Sequence, residues 1–215
     1  MDQTDLIALV DRLRAEGREA STVEFKSGWD LPRDIGEYLS ALANAAVLER
    51  HDHAYLVWGV NDKTHGVTGT TFKPFTAKGD GAQPLIMWLT QATSPRPDFE
   101  FHEVQHPQGP VVVLDIKAPR TAPLAFAGVR YIRIDSHKTK LSDHPDKELR
   151  IWDFLGQKSN WSGEIVPDAT VADLDPEALD AARKRFTEYL LKAEPDTSRH
   201  EHIRADAQGT TATNG

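Results

Sequence analysis

The sequence predicts an α+β fold in which a mixed, mainly antiparallel sheet is flanked by helices and followed by a C-terminal helix. Three observations carry that expectation. Stretches with apolar residues at helical spacing alternate with short runs rich in β-branched residues. The runs DFEFHEV and PVVVLDIKA flank a loop containing Gln108-Gly109, which has hairpin chemistry. The nearly continuous apolar segment AYLVWGV, residues 54–60, has the composition of a central strand covered on both faces.

The elements follow in order. Leu6, Leu9, Val10 and Leu13 recur at helical spacing, predicting a helix from about Thr4 to Ala15 with Gly17 as its stop. In TVEFK, residues 22–26, alternation sets Val23 and Phe25 on one face and Thr22, Glu24 and Lys26 on the other. Pro32, with its fixed φ and missing N–H, suits the first turn of a second helix carrying Ile35, Leu39, Leu42, Ala43 and Ala46. After residues 54–60, NDKTHG reads as a turn and GVTGTTF as a returning partner strand. A third helix is expected over Gln83 to Ala92, ended by Ser94-Pro95. VRYIRID (129–135) reads as a strand with Ile132 and Ile134 inward and Tyr131 and Arg133 outward. Ser142 or Asp143 then caps a helix bearing Leu149, Trp152 and Leu155, with Pro145 in its first turn. A polar linker follows Gly156, and Asp175-Pro176-Glu177 starts a last helix to about Lys192. Residues 196–215 lack periodicity and are expected to be disordered. The chain thus divides into a domain over 1–157, a linker and helical extension over 158–195, and a tail over 196–215.

Composition narrows the function classes. With 39% hydrophobic and 27% charged residues, the chain has a globular rather than a disordered composition. No run approaches the roughly 20 apolar residues that cross a bilayer. No secretory leader is visible, so a cytoplasmic location is the default expectation, with no membrane partner. The absence of cysteine excludes disulfides and thiolate metal sites. No G-x-x-x-x-G-K-[ST] loop supports a P-loop ATPase. The formal charge of −8 argues against a nucleic-acid binder, but its distribution tempers this. Between Lys117 and Lys140 lie six basic residues (Lys117, Arg120, Arg130, Arg133, Lys138, Lys140) against one acid, Asp135. Such a strip suits RNA or DNA, although a merely solvated face has the same composition.

Glu24-Phe25-Lys26 is the sharpest local pattern. On a strand Glu24 and Lys26 emerge side by side, as in metal-dependent nucleases where a carboxylate holds a divalent ion and an ammonium steadies charge on the phosphate. Glu19 lies just upstream, and Asp62 sits where a buried strand ends in a turn. If the two strands pair, Glu19, Glu24 and Asp62 can converge. Three carboxylates so placed repel one another, and bound Mg²⁺ or Mn²⁺ would remove the conflict. The plainer alternative makes Glu19 a surface acid, Asp62 a turn acid, and Glu24 and Lys26 an ordinary strand pair. Arg130, Tyr131 and Arg133 could contact phosphates and stack on a base, or form a salt-bridged sheet face. His51-Asp52-His53 reads more readily as solvated loop residues than as a metal site.

The order EASTVEFK, YLSALANAA, VWGVNDKTHGVTG, YIRIDS, LSDHP and DLDPEAL resembles the AlbA-like domain of Schlafen proteins and their prokaryotic relatives, over about residues 5–190. The resemblance implies an acidic triad at Glu19, Glu24 and Asp62 that cleaves transfer RNA or related structured RNA, to which the reading of the residues adds a divalent metal on the three acids and Lys26 neutralising charge at the phosphate. It also implies a homodimer, because vertebrate relatives build their groove from two lobes and this chain has one. A non-catalytic DNA- or RNA-binding module of a transcriptional or defence regulator is the alternative, and a protein-interaction scaffold is a third.

Overall fold

Leu6, Leu9, Val10 and Leu13 form one stripe of helix α1 (Gln3–Ala15), and all four are buried. The computed structural model describes residues 2–15, 21–28, 31–134, 137–159, 170, 173 and 175–193. The expected helix stop at Gly17, the acid Glu19 and the tail over 196–215 lie outside the described residues. The chain separates into two units, Met1–Ser162 and Gly163–Gly215. Of the second unit, helix α5 (Pro176–Ala193) is described, opening where Asp175 accepts the backbone N–H groups of Glu177 and Ala178. Among the described residues no helix is long and apolar enough to cross a membrane.

The α1 stripe packs on a sheet ordered β1-β2-β5-β4. Its strands are β1 (Val23–Lys26), β2 (His53–Trp58), β4 (Phe99–His106) and β5 (Gly109–Lys117). As expected, β4 and β5 form an antiparallel hairpin, and β2 pairs antiparallel with β5. In contrast β1 runs parallel to β2, with Glu24 opposite Leu56 and Lys26 opposite Trp58. Parallel neighbours need a crossover, and α2 (Pro32–Leu48) supplies it. Val23, Phe25, Val57, Val111 and Val113 face α1, whereas Leu56, Trp58, Leu114 and Ile116 face α2 and α3 (Leu85–Ala92). The sheet is therefore apolar on both sides, which is why residues 54–60 read as one apolar run.

A second sheet, ordered β3-β6-β7-β8, uses β3 (Thr93–Ser94), β6 (Ala125–Phe126), β7 (Val129–Ile134) and β8 (His137–Lys140). Gly36 lets α2 approach it closely: a Cβ there would collide with the Phe126 ring. Buried Ser40 and Asn44, one turn apart on α2, hydrogen-bond the backbone at Leu124 and Tyr131. Ile132 and Leu141 join Ala45 and Val47 of α2 in a smaller core, closed by Ile151 and Leu155 of α4 (Pro145–Ser159).

Several local expectations change. GVTGTTF does not return as a strand: only Val60 and Val67 bridge, because Gly59 (φ +92°) turns the chain where a Cβ would meet the Pro110 carbonyl at 2.8 Å. The third helix begins at Leu85, since Pro84 before it is extended. On α4, Leu149 and Trp152 are exposed, and the buried stripe is Ile151 and Leu155.

Candidate functional site

Because β1 alternates, Glu24 and Lys26 share the face toward α2, and there they enter a half-buried ionic network. Lys26 Nζ lies 2.8 Å from Glu24 Oε1, and Arg133 Nη2 lies 2.6 Å from Glu24 Oε2. Arg133 Nη1 also donates to the carbonyl of Val23. Arg133 is only 1% exposed, which corrects its assignment to an outward face open to phosphates. The reason is the strand's neighbour. β1 ends the first sheet, and the guanidinium of β7 reaches a backbone carbonyl and a carboxylate on that edge strand.

Tyr38 of α2 continues the network. Lys26 Nζ donates to its hydroxyl at 3.0 Å, and the ammonium groups of Lys26 and Lys138 each lie 4.5 Å from its ring centre. Lys138 pairs with Glu37 at 2.6 Å and with Asp34 at 3.5 Å. Glu37 further accepts from the Tyr131 hydroxyl at 3.2 Å and from Arg33 Nε at 3.3 Å. Burial alone would lower the Lys26 pKa, but the hydrogen bonds to Glu24 and Tyr38 and the Glu24 charge outweigh it and raise the ammonium above its ordinary range. Tyr38 is raised chiefly by burial, and Tyr131 by burial and by Glu37. Burial pushes Glu37 up, but Lys138, Arg33 and Tyr131 outweigh that and hold it below the usual carboxylate range.

The remaining expected residues scatter. Asp62 is exposed in the turn beyond β2, where the Asn61 side chain accepts the backbone N–H groups of Lys63 and Thr64. Among the described residues no three His, Asp or Glu side chains are grouped to hold a metal. Glu24 itself fits a divalent cation poorly, because each carboxylate oxygen already faces a positive group within 2.8 Å. The basic strip divides. Lys117, paired with Asp98 at 2.9 Å, and exposed Arg120 line a cleft at the end of β5. Arg130 pairs with Glu148 at 2.8 Å and lies over Trp152, Lys138 and Tyr131 meet at Glu37, and Lys140 is exposed. His51 and His53 also part: His51 contacts Thr22, and His53 hydrogen-bonds Asp115 at 2.6 Å.

The family model described as Schlafen, AlbA_2 matches residues 19–142, more than half of the chain. The chain belongs to the Schlafen AlbA_2 family. Among solved structures, it is similar to the DIP2311 protein from Corynebacterium diphtheriae at 20% identity, with a TM-score of 0.43. That match covers 84% of this chain and 34% of the other, so this chain spans about a third of that protein's length. No curated protein matches the sequence.

The AlbA_2 match takes in every residue of the network from Glu24 to Lys138. Sequence reasoning missed Asp34, Glu37 and Tyr38 as network members, although Glu37 and Tyr38 sit between the core residues Ile35 and Leu39. It also passed over Ser40 and Asn44, a polar i,i+4 pair inside an apolar helix face, which was a usable signal.

The Glu37 shift has a pH consequence. A carboxylate whose folded pKa lies below its unfolded value stabilises the fold above the unfolded value, near 4.3, and loses that contribution as pH falls through the folded value. Glu37→Gln is therefore expected to lower the melting temperature at pH 7 and to flatten its fall below about pH 4. A melting series showing an unchanged acid limb would exclude this role.

Proposed function

We propose that this AlbA_2 domain binds nucleic acid and that Glu24 serves its architecture rather than a metal. The observation that carries the reading is the pair of cations on Glu24, Lys26 at 2.8 Å and Arg133 at 2.6 Å. A divalent ion bound there would have to displace one of them or accept their repulsion. Meanwhile Lys140, and Arg130 on the exposed side of its pair with Glu148, present charge at the surface of the same matched region, where phosphates can reach it. Contacts of this kind position a nucleic-acid backbone without reading sequence.

Cleavage of structured RNA is the second reading. Glu19, Glu24 and Asp62 would hold Mg²⁺ or Mn²⁺, which would supply an activated water. What favours it is the adjacency of Glu24 and Lys26, a carboxylate and an ammonium side by side on one strand. It requires Glu24 to release one of its cations.

One experiment separates the readings. Labelled transfer RNA, single-stranded RNA and duplex DNA are titrated with and without Mn²⁺, using wild type, Glu24→Gln and the Arg130→Ala/Lys140→Ala double variant. The expected result is binding that needs no metal, survives Glu24→Gln and weakens linearly in log salt. The double variant should reduce the slope by about 2, roughly one per lost phosphate contact. Mn²⁺-dependent cutting that Glu24→Gln abolishes would establish the second reading. No binding to any of the three would leave the scaffold.

A further inference from the structure

A cleft of about 720 Å³ opens where β2 begins and β5 ends. That volume is in the range of sites that enclose small ligands. Arg96, Lys117 and Arg120 bring three cations to its lining, against the carboxylates of Asp52 and Asp98. Lys117 engages Asp98 at 2.9 Å, whereas neither Arg96 nor Arg120 has an acidic partner among the described residues. Both guanidiniums are exposed, so their donor forks are open to an anion.

His53 adds a second recognition element. Its Nδ1 lies 2.6 Å from Asp115, which is 12% exposed, and its ring stacks on Tyr55 at 6.2 Å. A carboxylate accepts, so Nδ1 donates to it and Nε2 is left to hydrogen-bond a ligand. The Asp115 bond thus fixes the ring orientation, leaving Nε2 for a hydroxyl, which can either donate or accept. The remaining lining includes Pro95, Pro97, Pro119, Ile116 and Leu124. Proline-rich walls have little conformational freedom to lose when a planar group packs on them.

We propose that this cleft seats a nucleoside phosphate, with Arg96 and Arg120 on the phosphate, His53 Nε2 on a ribose hydroxyl, and the base against the proline walls. One group carries all three features: a dianion, a hydroxyl and an apolar plane. A free nucleotide and the 5′-phosphorylated end of a strand share this chemistry. The site is independent of the Glu24 network and of backbone contacts made elsewhere.

The test uses the full chain, a nucleoside 5′-monophosphate, and one RNA oligonucleotide with either a 5′-phosphate or a 5′-hydroxyl. Arg96→Ala/Arg120→Ala is the variant; both side chains are exposed, and an unchanged melting curve confirms folding. A preference of about 10-fold or more for the 5′-phosphate end, lost in the variant, assigns the strand end. Monophosphate binding that the variant loses, with no end preference, assigns the free nucleotide. If neither measurement responds to the variant, the cleft proposal is wrong. Salt-dependent binding of both oligonucleotides alike would then still uphold the nucleic-acid reading, and its absence would remove that reading too.

Discussion

Replacing Glu24 with alanine is expected to cost about 3–5 kcal/mol of folding stability, the range for removing one partner of a buried ion pair. Glu24 is 6% exposed and Arg133 is 1% exposed, so neither can recover much hydration when the other is lost. In the alanine variant two positive groups, Lys26 and Arg133, stay close together without the carboxylate that separated their charges. Lys26 is the more open of the two and can turn toward solvent; Arg133 cannot. Small domains are stable by only about 5–15 kcal/mol, so the loss is a large share of the total. Urea unfolding of Glu24→Ala, Arg133→Met and the double variant provides the check. If an uncompensated charge is the cause, the double variant should be more stable than the sum of the single losses predicts, by about 1–3 kcal/mol. A Glu24→Ala loss under about 1 kcal/mol would mean that water already reaches the pair. The result also bears on function. Loss of activity in Glu24→Ala is ambiguous if the domain has partly unfolded; Glu24→Gln keeps the side-chain shape and one acceptor oxygen but not the charge, so its binding is read together with its melting curve.

Why the sequence led partway to this site is a matter of what periodicity can encode. Alternation in TVEFK correctly groups Glu24 with Lys26 and Val23 with Phe25. It says which residues share a face and nothing about what covers that face. Here the polar face is overlain by Tyr38 and met by Arg133, contacts spanning 12 and about 110 residues of chain. For the same reason Arg133 read as outward: a charged residue alternating with isoleucine implies solvent only when no edge strand lies alongside. On α4 the difficulty was ambiguity rather than distance. PDKELRIWDFLGQKS offers Leu149 with Trp152 and Ile151 with Leu155 at equally helical spacing, and only the position of Ala45 and Val47 selects the second pair. The hairpin over β4 and β5 and the α1 stripe were legible because each is decided by neighbours in sequence.

Asn44→Ala is expected to cost about 3–4 kcal/mol, and the reasoning depends on which backbone groups it leaves unsatisfied. Asn44 Nδ2 donates to the carbonyls of Leu124 at 2.9 Å and Tyr131 at 2.8 Å, and its Oδ1 accepts the Leu124 N–H at 2.7 Å. Ser40 Oγ donates to the same Leu124 carbonyl at 2.7 Å and accepts the Tyr131 N–H at 3.0 Å. Without the Asn44 carboxamide, the Leu124 carbonyl keeps Ser40, but the Leu124 N–H and the Tyr131 carbonyl lose these bonds. Each unsatisfied buried group costs about 1–3 kcal/mol. Ser40→Ala leaves only the Tyr131 N–H without its side-chain acceptor and should cost about half as much. Asn44→Asp, once ionised, sets acceptor oxygens against two carbonyls at a fully buried position and should be at least as damaging as alanine. Denaturant unfolding ranks the three variants, and hydrogen exchange should show loosening concentrated at residues 124–134. Equal losses in Ser40→Ala and Asn44→Ala would indicate that packing volume, rather than these hydrogen bonds, holds the second sheet to α2. In that case the apolar contact of Ile132 with Ala45 and Val47 would be what holds β7, and with it Arg133, beside the first sheet.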